Sequence, residues 1–136
     1  MTKLLSIGIT LLLVVGGIFI FSKPDEPGQT LSMQSIRSDI GTTGQLIDVR
    51  TPEEYNAGHI DGAVNLPLQS IESGTLPSVE KDEPIYLYCR SGNRSAQATL
   101  LLKQAGYTDI QDLGAMTSVQ SLGGSISKAL SKAINQ

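Results

Sequence analysis

What this chain lacks narrows its chemistry. Its 136 residues include a single cysteine, Cys89, so no intramolecular disulfide can form and packing must hold the fold. There is also only one histidine, His59, and one histidine with one cysteine is too few for an ordinary zinc site. The net charge of −3 gives no sign of a nucleic-acid partner. Gly92 belongs to no glycine pattern of a nucleotide-binding loop, so we expect neither a metal nor a cofactor.

Long hydrophobic runs are rare, and the one such run lies at the N-terminus. Residues Leu4 to Phe21 carry no charge, and as a helix they would reach about 27 Å, close to the hydrocarbon thickness of a bilayer. We expect residues 1–22 to be a transmembrane anchor, with a cleaved signal peptide as the alternative. Prolines and a glycine make residues 23–30 a linker, and residues 31–136 form the working domain.

The orientation of the anchor follows from a small charge bias. Lys3 and the terminal amine lie before the apolar run and only Lys23 follows it closely, which weakly favours the N-terminus inside. The domain would then face the periplasm or the cell surface. If the segment is cleaved, the domain is secreted instead.

Beyond the linker, strand patterns alternate with helix patterns. Alternation with short connections predicts an α/β domain, in which helices flank a mostly parallel sheet. The predicted strands are residues 45–50, 63–66, 85–88 and 107–113. The predicted helices follow caps at Ser32 and Thr51 or cover residues 68–72, 95–105 and 125–134.

Cys89 lies where the buried strand 85–88 ends and a helix begins. The turn between them carries Gly92, Arg90 and Arg94, and such a turn can point successive N–H groups inward while the helix adds its positive dipole end. These groups favour a thiolate, so we expect a lowered cysteine pKa and a nucleophilic sulfur. The alternative is that Cys89 is a small buried hydrophobe. Asp48 ends a neighbouring strand and could face the same edge of the sheet.

Three motifs stand out along the domain. They are Ile47-Asp48-Val49-Arg50-Thr51-Pro52-Glu53-Glu54-Tyr55, Gly58-His59-Ile60-Asp61-Gly62-Ala63-Val64-Asn65-Leu66-Pro67, and Tyr88-Cys89-Arg90-Ser91-Gly92-Asn93-Arg94-Ser95, with the shorter piece Ala105-Gly106-Tyr107 after them. In this order and spacing they resemble the rhodanese family of sulfurtransferases in its single-domain form. The short chain with an N-terminal export or anchor segment is also similar to the periplasmic, phage-shock type of that family.

The resemblance implies a rhodanese-like fold and a mechanism through a persulfide. Cys89 would take the sulfane sulfur of thiosulfate or a related anionic donor and pass it to cyanide or a thiol. The resemblance also implies that the loop binds the substrate, with Arg90 placed to attract the donor's sulfonate and Asp48 bracing the site. The expected substrate-binding residues are Arg90, Ser91, Gly92, Asn93, Arg94 and Ser95.

The sequence also departs from the family and leaves rival functions open. Many relatives carry Gly-Gly and a tryptophan after the last strand, whereas here Leu113-Gly114-Ala115-Met116 has one glycine and the chain has no tryptophan. A cysteine phosphatase of related architecture is a rival, although its loop has one more residue between cysteine and arginine. A cysteine peptidase that uses His59 as its base is a second rival. A non-catalytic persulfide carrier or interaction module at the membrane is a third.

Overall fold

A computed structural model of the chain describes residues 30–128. The anchor predicted over residues 1–22, nearly all of the 23–30 linker and the residues after 128 lie outside the described residues. Within the described range, none of the helices combines the length and the apolar character that crossing a bilayer requires.

Five helices and six strands make up the described residues. The helices are α1 (Met33–Ile40), α2 (Pro52–Ala57), α3 (Leu68–Glu72), α4 (Asn93–Gln104) and α5 (Met116–Ser121). The strands are β1 (Gln45–Asp48), β2 (His59–Ile60), β3 (Val64–Asn65), β4 (Ile85–Cys89), β5 (Ile110–Ala115) and β6 (Ile126–Ser127). The main sheet is parallel throughout, in the order β3-β1-β4-β5, and β2 pairs with β6 in a small antiparallel ribbon. The predicted α/β architecture is confirmed.

The central strand β4 is buried on both faces, as its sequence Ile-Tyr-Leu-Tyr-Cys predicts. Side chains alternate across a strand, so its residues divide between two apolar clusters. Ile85, Leu87 and Cys89 pack under α3 and α4. Tyr86 and Tyr88 face the other way, towards residues of α1 and α5. Helices therefore cover both faces of the sheet.

The predicted helix starts are correct where a polar side chain caps the backbone. Ser32 accepts a hydrogen bond from the Ser35 amide at 3.1 Å, and Thr51 precedes Pro52 and caps α2. The capping box of α2 also uses Glu54, whose carboxylate accepts from the Thr51 amide at 3.1 Å. Local hydrogen bonding is readable from sequence, which explains this success.

Other predicted boundaries are wrong for tertiary reasons. The strand predicted from Tyr107 begins only at Ile110, because the Tyr107 ring enters the core and its hydroxyl donates to the Pro77 carbonyl at 2.9 Å. The helix predicted from residue 125 is wrong at its start, since residues 126–127 pair with β2 instead. Helix α5 was not predicted at all.

A polar network lies at the carboxyl ends of β1 and β4. Asp48, which is 0% exposed, accepts hydrogen bonds from the Arg50 side chain, with the closest contact at 2.6 Å. Its carboxylate also accepts from the Tyr88 hydroxyl at 2.8 Å, and that hydroxyl accepts from the Ile60 amide at 3.0 Å. Arg50 donates onward to the Gly58 carbonyl at 2.6 Å. One buried network thus ties the two strand ends to β2.

We expect Tyr88→Phe to lower the free energy of unfolding by about 1–3 kcal/mol, since it leaves both the buried Asp48 carboxylate and the Ile60 amide short of a partner. Tyr86→Phe is the matched control. It removes a hydroxyl that bonds Asp39 in a partly exposed position, so about 1 kcal/mol or less should be lost. Urea unfolding of the two variants measures the difference, and equal losses would contradict the role of the network.

Candidate active site

Cys89 is the last residue of β4, and its side chain lies on the face covered by α3 and α4. Helix α4 begins at Asn93, so only Arg90, Ser91 and Gly92 separate Cys89 from the first residue of the helix. The side chain is 0% exposed. The sequence therefore folds the only thiol of the chain under a short loop at the positive end of a helix.

The loop directs polar hydrogens at the sulfur. The Gly92 amide donates to Cys89 Sγ at 2.9 Å. Burial is the largest single influence on the pKa of Cys89 and raises it, but hydrogen bonds from the amides of Ser95, Ser91 and Gly92 and from the Ser95 hydroxyl together outweigh it. The pKa of Cys89 is therefore lowered from the ordinary thiol value. The expected lowering of the pKa and the full burial that the alternative interpretation requires therefore occur together at Cys89, but the hydrogen bonds to its sulfur distinguish it from a buried hydrophobe.

Ser95 supports the loop as well as the sulfur. Its side chain is fully buried, and its hydroxyl lies 3.0 Å from the Gly92 carbonyl, to which it can donate. A hydroxyl has one proton and rotates freely, so the same proton can serve either the carbonyl or the sulfur. When the sulfur is anionic, donation to it is favoured because hydrogen bonds to charged acceptors are the stronger ones.

Gly92 shapes the turn that closes over the sulfur. Its φ of +96° is in the left-handed region, which L-amino acids with a Cβ rarely adopt. A Cβ at this position would lie 3.6 Å from the Gly114 Cα, which is ordinary contact, so the backbone angle rather than lack of space requires glycine. The neighbouring wall is β5, where a bulge at Leu113 brings Ala115 into register with Cys89.

Three residues around the sulfur, Arg90, Ser91 and Asn93, face the solvent. Arg90 and Ser91 are exposed, and no hydrogen bond or ion pair of the described chain holds the Arg90 guanidinium. Asn93 is exposed too, and its side chain accepts from Gln97 at 3.1 Å along α4. The positive charge of Arg90 is therefore available to an anion in solution.

Arg94 is engaged within the protein. Its guanidinium binds the Glu54 carboxylate through two parallel contacts of 2.6 and 2.9 Å, and the two side chains are 26% and 27% exposed. This pairing lowers the pKa of Glu54 to about 2, so Glu54 is an anion at neutral pH. The contact also joins the end of the loop to the first turn of α2.

Asp48 does not face the sulfur. Its partner in register is Tyr88, and both side chains lie on the sheet face opposite to that of Cys89. Its hydrogen bond from Tyr88, the residue before the cysteine, ties it to the strand that carries the sulfur. Burial is the main reason that the pKa of Tyr88 is raised well above its usual range, so this hydroxyl keeps its proton.

His59 is bound elsewhere. Its ring stacks on Tyr55 with centroids 3.7 Å apart, and its Nδ1 lies 2.9 Å from the Tyr55 carbonyl. No hydrogen bond of the described residues joins it to Cys89. Within residues 30–128 there is likewise no group of acidic, histidine and cysteine side chains that could hold a metal ion.

Sequence reasoning missed Glu54, Arg50 and Tyr88 as parts of this region. From the sequence, Glu54 is only a member of a family motif, and nothing local relates it to Arg94, forty positions away. The one usable signal was Arg50, two positions after Asp48 at a strand end, since a buried carboxylate needs a cationic partner.

The geometry has a clear chemical capacity. Hydrogen bonds from N–H groups favour the thiolate form of Cys89 over the thiol, and the same amides can stabilise any anionic sulfur in its place. The exposed Arg90 can draw a small anion to the loop. Because the sulfur is covered, a small molecule reaches it only when the covering atoms move aside.

Comparison with known proteins agrees with this geometry. The family model described as Rhodanese-like domain matches residues 32–121. The thiosulfate sulfurtransferase PspE of Escherichia coli is 35% identical over 54% of this chain and 71% of its own length, and the human thiosulfate:glutathione sulfurtransferase is 38% identical over 58% of this chain and 81% of its own. A solved structure, rhodanese with anions from E. coli, is 31% identical with a TM-score of 0.57, covering 64% of this chain and 100% of that one.

Replacing Ser95 should weaken the stabilisation of the thiolate. We expect Ser95→Ala to raise the pKa of Cys89, because one of its hydrogen-bond donors is lost. Ser91→Ala is the control: Ser91 acts on the sulfur through its backbone amide, which alanine retains, so the pKa should stay as in the wild type. The thiolate fraction falls as the pH drops through the pKa, and ultraviolet absorbance of the thiolate measures it. Identical titrations of the two variants would contradict this assignment.

Proposed function

Because this chain belongs to the rhodanese-like domain family, we propose that it is a sulfurtransferase that moves a sulfane sulfur from thiosulfate or a related anionic donor to a thiophilic acceptor. The sulfur is carried as a persulfide on Cys89. The observation that carries this proposal is the buried Cys89 sulfur, whose pKa is lowered by the amide hydrogens of its own loop. Because the pKa is lowered, more of the thiol is present as thiolate, the nucleophilic form that can attack without a separate base.

The reaction balances in two steps. In the first, the Cys89 thiolate attacks the outer sulfur of thiosulfate, the bond between the two donor sulfurs breaks, and sulfite leaves with the bonding electron pair. In the second, cyanide or a thiolate attacks the outer sulfur of the persulfide, and the Cys89 thiolate is regenerated as the leaving group. With cyanide the product is thiocyanate. No proton or external electron is needed in either step when both nucleophiles are anions.

The loop residues take separate roles in this proposal. The amides of Ser91, Gly92 and Ser95 stabilise the anionic sulfur before and after transfer. Arg90 attracts the sulfonate end of the donor, which its exposure and lack of a partner within residues 30–128 support. Asn93 starts α4 at the rim. In this arrangement Asp48 braces the end of β4 through Tyr88.

The donor and acceptor classes are supported by two relatives. The bacterial relative is named for thiosulfate, and the human relative for thiosulfate and glutathione. Both names fit a small anionic donor, and the second fits a thiol as the acceptor. We extend both classes to this chain as part of the proposal.

The location proposed for the domain rests on sequence alone. The uncharged run from Leu4 to Phe21 supports a membrane anchor with the domain on the extracytoplasmic side, or a secreted domain if the run is cleaved. Fractionation of cells that express the full chain, with protease added from outside, tests it.

The persulfide gives the most direct test. After treatment with thiosulfate, the intact mass of the protein should increase by one sulfur atom, and cyanide should remove that sulfur as thiocyanate. Cys89→Ser should show neither change, because its oxygen cannot carry the sulfane sulfur. A wild-type mass that does not change would refute the proposal. A mass gain with no release to cyanide or thiols would favour the persulfide-carrier function instead.

His59→Ala separates this function from that of a cysteine peptidase. The variant should still form thiocyanate at a rate close to that of the wild type, since His59 makes its contacts with Tyr55 and none with the sulfur among the described residues. Some stability should be lost with the stacked ring, so the rate is compared at a temperature where circular dichroism shows both proteins folded. A loss of activity in the folded variant would restore His59 as a candidate base.

A further inference from the structure

The two arginines of the loop differ in their electrostatic state. Arg90 is exposed and has no partner within residues 30–128, whereas Arg94 is held by Glu54 in a two-contact ion pair. A paired guanidinium attracts an anion less strongly than a free one, because the field of the carboxylate opposes its own. Arg90 is therefore available to bind an anion, whereas the charge of Arg94 is neutralised by Glu54.

The Glu54 carboxylate is also held in place by its own helix, α2. One of its oxygens, Oε2, accepts both from Arg94 at 2.6 Å and from the Thr51 amide at 3.1 Å, so the capping box of α2 fixes the carboxylate. The pair is only about a quarter exposed, which limits screening by salt. The Cys89 thiolate and Asp48 also act on Arg94 by their charge. Arg94 thus lies near the sulfur, but its positive charge is paired with the Glu54 carboxylate.

We propose that Glu54 is a positioning and specificity-determining residue that neutralises Arg94 and so limits the affinity of the loop for dianions. Arg90 alone then recruits the donor, and sulfite is released after transfer. The inference rests on the proposed sulfurtransferase function. Its chemical reason is that substrate and product are both small dianions, so a loop with two free guanidinium groups would hold the product as well as the donor.

The test is a charge removal that keeps the local structure. Glu54→Gln preserves a capping side chain for the Thr51 amide and a hydrogen-bond acceptor for Arg94, but it releases the positive charge. The KM for thiosulfate should fall by about three- to fivefold, the gain expected for one partly screened charge contact. Inhibition by sulfate, an unreactive dianion, should strengthen by a similar factor, and kcat should not rise.

Glu53→Gln is the matched control. It removes the same charge one position away, from a side chain that is exposed and makes no ion pair in the described chain. Its KM and its inhibition by sulfate should stay within about twofold of the wild type, as expected for a screened surface charge. If Glu54→Gln and Glu53→Gln behave alike, the proposal is wrong.

A double-mutant cycle shows whether Glu54 acts through Arg94. In an Arg94→Gln background, Glu54→Gln should no longer change the KM for thiosulfate or the binding of sulfate. A change as large as that in the wild-type background would overturn the proposal. Binding of sulfate, measured by calorimetry, needs no turnover. The two proposals can therefore fail separately. If the wild type forms no persulfide but Glu54→Gln binds sulfate more tightly than the wild type, the sulfurtransferase function is refuted and the role of Glu54 stands.

Discussion

The site depends on how the Cys89 sulfur is solvated. Burial removes the sulfur from water, and hydrogen bonds from its own loop replace the hydration that is lost. Burial alone would raise the pKa of Cys89, as it does for most thiols inside proteins. The amides of three residues and one hydroxyl reverse that direction. The reversal needs a backbone that bends tightly enough to aim its N–H groups inward, which the left-handed conformation of Gly92 provides. Loop shape and thiol ionisation are therefore a single property of this structure.

Much of this site could be predicted from the sequence because its parts are close together in the chain. Cys89, Gly92 and both arginines lie within six consecutive positions, and the apolar strand before them and the helix after them have clear periodicity. The N-caps at Ser32 and Thr51 were predictable for the same reason, since a cap depends on the next three residues. The parallel sheet followed from the alternation of strands and helices.

The rest could not be predicted because it depends on contacts between distant residues. The pairing of Glu54 with Arg94 spans forty positions, and one glutamate in a helix start resembles any other. Strand β6 has only two residues, so its pairing with β2 rather than its own pattern decides its conformation. Asp48 was correctly predicted at a strand end but lies on the face opposite to the sulfur, because the register with Tyr88 fixes the side on which it points. The sequence motifs thus identify where the site lies, whereas tertiary contacts determine which arginine of the loop is paired.

The complete cover over Cys89 has a further consequence for the durability of the protein. Thiolates are the form of cysteine that peroxides oxidise, and damage follows both ionisation and access. Many redox-active proteins recover from a sulfenic acid through a second, resolving cysteine, but this chain has none. Here protection comes from exclusion, because Cys89 is 0% exposed and an oxidant meets the sulfur only when the covering atoms move aside.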